Sequence, residues 1–151
     1  MVDASVFMYG LRVRGTVYTV PEVLSEVRSS GAEVMLQTFM REGLRIEEPL
    51  RKDVDAVTEK AKSTGDYVKL SQADISLLAK ALEVSGTLVS DDYSIQNVAA
   101  RLGIQTQQIR QAGIKRALRW RRRCVGCGRL YDNEAICPVC GSEVKLKPVR
   151  R

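Results

Sequence analysis

The sequence predicts an α/β protein in which a mainly parallel sheet is flanked by helices and followed by a small four-cysteine module. Three observations predict it. Short apolar or β-branched runs alternate with stretches of helical spacing as far as about residue 106. Acidic residues stand where those runs end or where the next helices begin. All four cysteines fall into two CxxC pairs, Cys124 with Cys127 and Cys137 with Cys140, nine residues apart. With 151 residues, 44% of them hydrophobic, the chain has material for one ordinary core and an appendage. The expected division is residues 1–113 and residues 114–151.

In order along the chain, Met1 to Asp3 reads as a very short first strand that turns at Ala4-Ser5-Val6-Phe7 into a helix. Thr16 to Val20 is β-branched and aromatic, a second strand, and Pro21 suits the first position of a helix running to about Arg28. Thr19-Val20-Pro21-Glu22 fits a capping box, which gives Glu22 a structural task and leaves Glu26, one turn on, without one. Gly31 to Glu42 has helical spacing, and Leu44-Arg45-Ile46 is a third strand. A charged amphipathic helix opens at Pro49 and reaches about Lys62, with Val54, Val57 and Ala61 on its apolar face. Ser63-Thr64-Gly65-Asp66 reads as a turn. Ser71-Gln72-Ala73-Asp74 is a second capping box ahead of the strongly helical Ile75 to Leu82, and Gly86 is expected to end that helix. Leu88-Val89 forms a buried strand that stops at Ser90-Asp91-Asp92, Ser94 to Leu102 is a helix, and Ile104 to Thr106 is a last short strand.

Asp3 and Asp92 therefore sit at strand ends, while Glu26 and Asp74 sit near the starts of helices. In a parallel sheet such positions converge on the edge formed by the strands' carboxyl ends. Each aspartate also has a plainer use as a helix cap. Gathering four carboxylates costs about 1 kcal/mol or more per close pair at intermediate dielectric, so a cluster calls for a cation. A hard ion such as Mg²⁺ or Mn²⁺ takes oxygen ligands and completes its shell with water and phosphate, which suits hydrolysis of a phosphodiester. Histidine is absent, so carboxylates or metal would have to do the work of the commonest general base.

The net charge of +6 is unevenly spread. Residues 1–113 carry 13 basic and 15 acidic side chains, and residues 114–151 carry 11 and 3. A compact basic block of that kind suits a polyanion. Its densest part is Lys115, Arg116, Arg119, Arg121, Arg122 and Arg123 around Trp120, the only tryptophan. We expect these cations to contact phosphate, with Trp120 either stacking on a base or packing the appendage against the larger part. The two CxxC turns predict one structural zinc on Cys124, Cys127, Cys137 and Cys140, with Gly128 and Gly141 permitting the backbone twist after each second cysteine. Four protein ligands leave that metal no open position for catalysis. No apolar run approaches a membrane span, and the expectation is a soluble, cytoplasmic protein.

Val2-Asp3-Ala4-Ser5-Val6-Phe7, Tyr18 to Val27, Ser71 to Asp74 and Ser90 to Val98 resemble, in that order, the acidic motifs of PIN-domain nucleases. The resemblance covers residues 1 to about 110. It implies that Asp3, Glu26, Asp74 and Asp92 bind Mg²⁺ or Mn²⁺, with Asp91 as an adjacent acid of unassigned role. Continued by a four-cysteine ribbon and its basic, tryptophan-containing lead-in, the whole chain is similar to the archaeal Nob-type endoribonucleases. That resemblance implies maturation of the 3′ end of small-subunit (16S) ribosomal RNA, with precursor rRNA, the small ribosomal subunit and assembly factors as partners. Two other readings remain open: a toxin-like PIN ribonuclease acting on tRNA or mRNA, and a non-catalytic RNA-binding assembly factor.

Overall fold

Met1 to Asp3 is the segment on which the sheet is built. In the computed structural model, which describes residues 1–109 and 119–149, Val2 N donates to Tyr18 O at 2.9 Å on one side. On the other, Val89 N donates to Met1 O at 2.9 Å, and Val2 forms a parallel bridge with Val89. Strand β1 (Tyr18–Thr19) then pairs in parallel with β2 (Arg45–Ile46), and β3 (Leu88–Val89) in parallel with β4 (Thr106–Gln107). The order across the sheet is β2, β1, residues 1–3, β3, β4. Val2, Leu88 and Val89 are at most 3% exposed, as expected of a sheet covered on both faces.

The helices are α1 (Ala4–Tyr9), α2 (Pro21–Glu26), α3 (Ser30–Arg41), α4 (Arg51–Thr64), α5 (Gln72–Glu83) and α6 (Tyr93–Leu102). A single 3-10 turn spans Tyr67–Lys69. α1 packs on α3, where Phe7 meets Phe39 edge to face at 5.4 Å between centroids. α4 packs on α5 and α6, and the aliphatic faces of α5 and α6 close the core with Leu77, Leu78, Ile95 and Val98.

Four local expectations are corrected. α2 stops at Glu26 rather than Arg28. Thr19 and Glu22 form no capping box, because the Thr19 hydroxyl donates instead to Val2 O at 3.0 Å and Glu22 accepts from Ser76 Oγ at 2.7 Å. The helix before Asp66 runs two residues past Lys62, so Ser63 and Thr64 belong to α4 rather than to the expected turn, and Asp66 is fully buried. The left-handed residue that ends α5 is Ser85, with φ 49°, rather than Gly86. Gly86 N bonds to Ala81 O and Ser85 N to Leu82 O, the paired bonds of a Schellman end displaced by one residue from the glycine.

The second module is a three-stranded antiparallel sheet in the order β6, β5, β7, made of β5 (Arg119–Cys124), β6 (Leu130–Tyr131) and β7 (Val144–Val149). Its small core contains Cys124, Cys137 and Val144, with Tyr131 against them. The expected division at residue 113, together with Lys115 and Arg116, lies outside the described residues, as do the side chains of Arg119 and Trp120.

Candidate active site and metal centre

Each of the four acids is delivered by a different stretch of chain. Asp3 follows the central segment of the sheet, and its carboxylate does not cap α1. It accepts from Ser90 Oγ at 2.8 Å and from Ser5 Oγ at 3.2 Å. Ser90 stands at the end of β3, so this bond ties together two strand ends that are 87 residues apart. Asp92 begins α6, where its Oδ1 accepts from Ser94 N at 2.6 Å and Ile95 N at 3.2 Å. The plainer reading of Asp92 as a helix cap is thus correct as far as one of its oxygens goes. Asp74 sits in the capping box of α5: Ser71 N donates to its Oδ2 at 2.7 Å, and its own N donates to Ser71 Oγ. Glu26, the last residue of α2, is exposed.

The acids feel one another. Asp74 is raised from the ordinary carboxylate range first by burial and then by the charges of Asp92 and Asp3, against the hydrogen bonds from Ser71. Glu26, exposed yet partly desolvated by the chain around it, is raised first by that desolvation and then by Asp74 and Asp3. Charge repulsion thus reaches Asp74 from Asp92 and Asp3, and Glu26 from Asp74 and Asp3. Two helix N-termini, those of α5 and α6, point their positive dipole ends at Asp74 and Asp92, which offsets part of that repulsion. Such an all-oxygen set fits a hard divalent cation that retains water in its shell. Asp91 is differently employed: its Oδ1 accepts from Ile109 N at 2.7 Å and so fastens the segment after β4.

Sequence reasoning overlooked Ser5, Ser76, Ser90 and Gln96. Gln96 Nε2 donates to Ser90 O at 2.9 Å, which anchors α6 to the end of β3. The one available signal was proximity to acids in the sequence, since Ser5 is two residues from Asp3 and Ser90 two from Asp92.

The cysteines make the tighter cluster. Their sulfurs all lie within 4.8 Å of one another, the one group of metal-ligating side chains drawn together so closely among the described residues, and it could hold a metal ion. Gly128 and Gly141 have φ of 75° and 72°, the left-handed turns the two knuckles need. Gly126 is closed in by Ser142, whose hydroxyl would lie 2.5 Å from any added Cβ. The Ser142 hydroxyl also pulls the Cys140 thiol down to about 6. Tyr131 Oη lies 2.9 Å from Cys137 Sγ, a hydroxyl placed to donate to a thiolate in the manner of outer-shell partners at metal sites. Its own pKa is pushed up to about 12, chiefly by that sulfur.

Along the sheet of this module, Arg121 is opposite Lys147 and Arg123 opposite Lys145. By strand alternation all four project to one face. Like charges placed directly across an antiparallel pair destabilise it, and part of that repulsion is relieved by ion pairs of Arg121 with Asp132 at 3.4 Å and of Lys145 with Glu143 at 2.8 Å.

A model of the PIN domain of ribonuclease matches residues 1–84. The chain is 39% identical over 155 residues to "Endoribonuclease Nob1" of Pyrococcus abyssi, an alignment that takes in 100% of this chain and 94% of that protein. Against "Endoribonuclease Nob1" of Archaeoglobus fulgidus it is 39% identical over 155 residues, 99% of this chain and 91% of that protein. "Ribonuclease VapC1" of Thermoplasma acidophilum is 35% identical over 124 residues, 82% of this chain but 63% of that protein. A match that includes the cysteine module and leaves little of either partner unaligned is the narrower of these likenesses, and on it the chain belongs to the PIN-domain ribonucleases and, among them, to the Nob1 endoribonucleases.

Proposed function

We propose that this protein is a divalent-metal-dependent endoribonuclease that matures the 3′ end of small-subunit ribosomal RNA. The observation that carries the reading is the kinship to Nob1 endoribonucleases over the whole of this chain, joined to an acidic site in which Asp74 is raised in part by the charges of Asp92 and Asp3, and Glu26 in part by those of Asp74 and Asp3. Asp3, Glu26, Asp74 and Asp92 would hold Mg²⁺ or Mn²⁺. The cation, when bound, would neutralise charge building on the scissile phosphate and generate the attacking nucleophile from water. The chain's own part is to keep the carboxylates oriented and close, a task divided between the α5 and α6 N-termini and the Ser5, Ser71 and Ser90 side chains.

A carboxylate cluster repels RNA, so binding must come from elsewhere. The basic second module, with Arg121, Arg122, Arg123, Lys145 and Lys147 exposed or half-buried, is suited to phosphate. It supplies affinity while the acids supply chemistry. Zinc on Cys124, Cys127, Cys137 and Cys140 would hold that module folded, since thiolate ligands at tetrahedral spacing favour zinc and a segment this small has little core of its own.

The test offers the zinc-loaded chain, with Mn²⁺, three substrates: a precursor spanning the 3′ end of small-subunit rRNA, a tRNA, and an unrelated single strand. Cleavage at one position at the mature rRNA end, abolished by Asp92→Asn, is the expected outcome. Asp92→Asn keeps the shape and the capping ability while removing a ligand charge. Equal cutting of all three RNAs would remove the rRNA assignment and favour a general PIN ribonuclease. RNA binding with no cleavage, in the presence of assembly partners, would favour a non-catalytic factor.

A further inference from the structure

Three of the four acids share a pattern in how the protein holds them. Asp3 accepts both of its hydrogen bonds, from Ser90 Oγ and Ser5 Oγ, on Oδ2. Asp74 accepts from Ser71 N on Oδ2. Asp92 accepts from Ser94 N and Ile95 N on Oδ1. In each case one oxygen is engaged by the protein, and no hydrogen bond from a described residue engages the other.

Ser90 has a special place in this arrangement. It is 1% exposed. Its N donates to Gln107 O at 3.1 Å, and its O accepts from Gln96 Nε2 at 2.9 Å. Locked in this way, its hydroxyl donates to Asp3 at 2.8 Å and accepts from Asp92 N at 3.1 Å. One hydroxyl therefore spans two acids and fixes both.

We infer that Ser90 and Ser5 are positioning residues that saturate Oδ2 of Asp3 and thereby present Oδ1 alone to a divalent cation, with Ser90 holding Asp92 in register through its backbone amide. The inference rests on the metal-binding reading given above. The physical reason is the strictness of Mg²⁺-type coordination. Such an ion takes one or two carboxylates in near-ideal octahedral geometry and keeps several waters. A carboxylate free to rotate would offer both oxygens in turn, whereas one pinned by two donors offers one oxygen in one direction. Asp92 and Asp74 are pinned by backbone amides, which only a proline would remove, and at the cost of disturbing the helix start itself. Asp3 is pinned by two hydroxyls, so its orientation alone is open to direct test.

The experiment uses the full chain with its zinc in place. Mn²⁺ is titrated while free Mn²⁺ is followed by electron paramagnetic resonance, and melting is recorded with and without Mn²⁺. Wild type, Ser90→Ala, Ser90→Thr, Ser5→Ala and Asp92→Asn are compared. Loss of an outer-shell partner costs roughly 10- to 100-fold in metal affinity. Ser90→Ala should therefore raise the Mn²⁺ dissociation constant by about that factor and shrink the melting gain conferred by Mn²⁺, and Ser5→Ala should do the same to a smaller extent. Ser90→Thr, which keeps the hydroxyl, should recover most of the affinity. A purely structural serine would lower the metal-free melting temperature and leave the Mn²⁺ constant alone.

Ser90→Ala and Ser5→Ala that bind Mn²⁺ as wild type does, while Asp92→Asn does not, would overturn the inference and spare the metal site. Should Ser90→Ala fail to fold, an unchanged constant in Ser5→Ala is sufficient to overturn it. Wild-type protein that binds no Mn²⁺ would remove the metal reading itself and this inference with it.

Discussion

Asp74 and Glu26 both sit above their ordinary values of 3.8 and 4.5, each first through desolvation and then through neighbouring acids. A carboxyl whose folded value is raised binds its proton more tightly in the folded chain than in the unfolded one. The folded protein therefore gains stability as pH falls from above the raised values toward the ordinary ones, and at neutral pH the ionised pair works against the fold. A divalent cation bound as proposed would relieve that opposition and compete with the proton. The melting gain conferred by Mn²⁺ should be largest at about pH 7 and above and should fade as pH approaches about 4. Measuring with and without Mn²⁺ at each pH cancels the zinc module's own acid sensitivity. Glu26→Gln should raise the metal-free melting temperature while reducing the Mn²⁺ gain, and a variant that loses stability in the absence of metal would contradict this account. Strand-end and helix-start positions pointed to Asp3, Asp92 and Asp74 in the sequence, whereas Glu26, expected near a helix start, is the last residue of the short helix α2. Ser5 and Ser90 were not legible there, since a serine beside an aspartate has no pattern that separates a ligand-orienting hydroxyl from an ordinary polar surface.

Helix α6 shows how an element is placed by polar contacts that composition conceals. Its Asn97 Nδ2 donates to Asp66 Oδ2 at 2.5 Å, and the Thr64 hydroxyl donates to the same oxygen at 2.7 Å. Asp66 is 0% exposed and Asn97 1%. Together with Gln96 on Ser90 O, the Asp66 contact sets the angle at which α6 brings Asp92 to the sheet edge. Removing a donor from a buried carboxylate leaves a desolvated acceptor and costs on the order of 1–3 kcal/mol or more. Asn97→Ala should therefore destabilise the protein by roughly that amount in urea unfolding, and a change below about 0.5 kcal/mol would show that α6 is held by its apolar face alone. The elements themselves were readable, with β-branched runs for the strands, a Pro at N1 of α2 and a Ser-x-x-Asp box on α5. What could not be read was burial. Thr64-Gly65-Asp66 has the composition of a surface turn, and only the packing of α4 against α6 turns its aspartate inward. In the same way Gly86 announces a helix end, yet the left-handed strain falls on Ser85 because the Schellman bonds close one residue earlier.

Across the whole molecule, the proposed function would divide chemistry and the grip on RNA between stretches of opposite net charge, residues 1–113 with 15 acids to 13 bases and residues 114–151 with 3 to 11, and would give each its own metal. The described part of the second module buries little beyond Cys124, Cys137 and Val144, so on the proposed reading its fold would rest on a cysteine-bound ion. The core of residues 1–109 has Leu77, Leu78, Leu88, Ile95 and Val98 to hold it without one. Stripping zinc with a chelator should therefore release four reactive thiols and the strand signals of residues 119–149 while leaving the amides of the α5 and α6 core protected from exchange. The same separation governs binding. The face carrying Arg121, Arg123, Lys145 and Lys147 would surrender its counterions to RNA. Zinc removal, or truncation after residue 113, should then weaken RNA affinity and flatten its dependence on salt by about 0.7 in logarithmic slope for each phosphate that is no longer neutralised. Asp92→Asn should leave that slope unchanged, because an acid has no counterion of this kind to release. A truncated chain that bound RNA with the full slope would place the phosphate-binding groups on residues 1–113, where acids outnumber bases by 15 to 13, and would separate the ribbon from any part in holding the substrate.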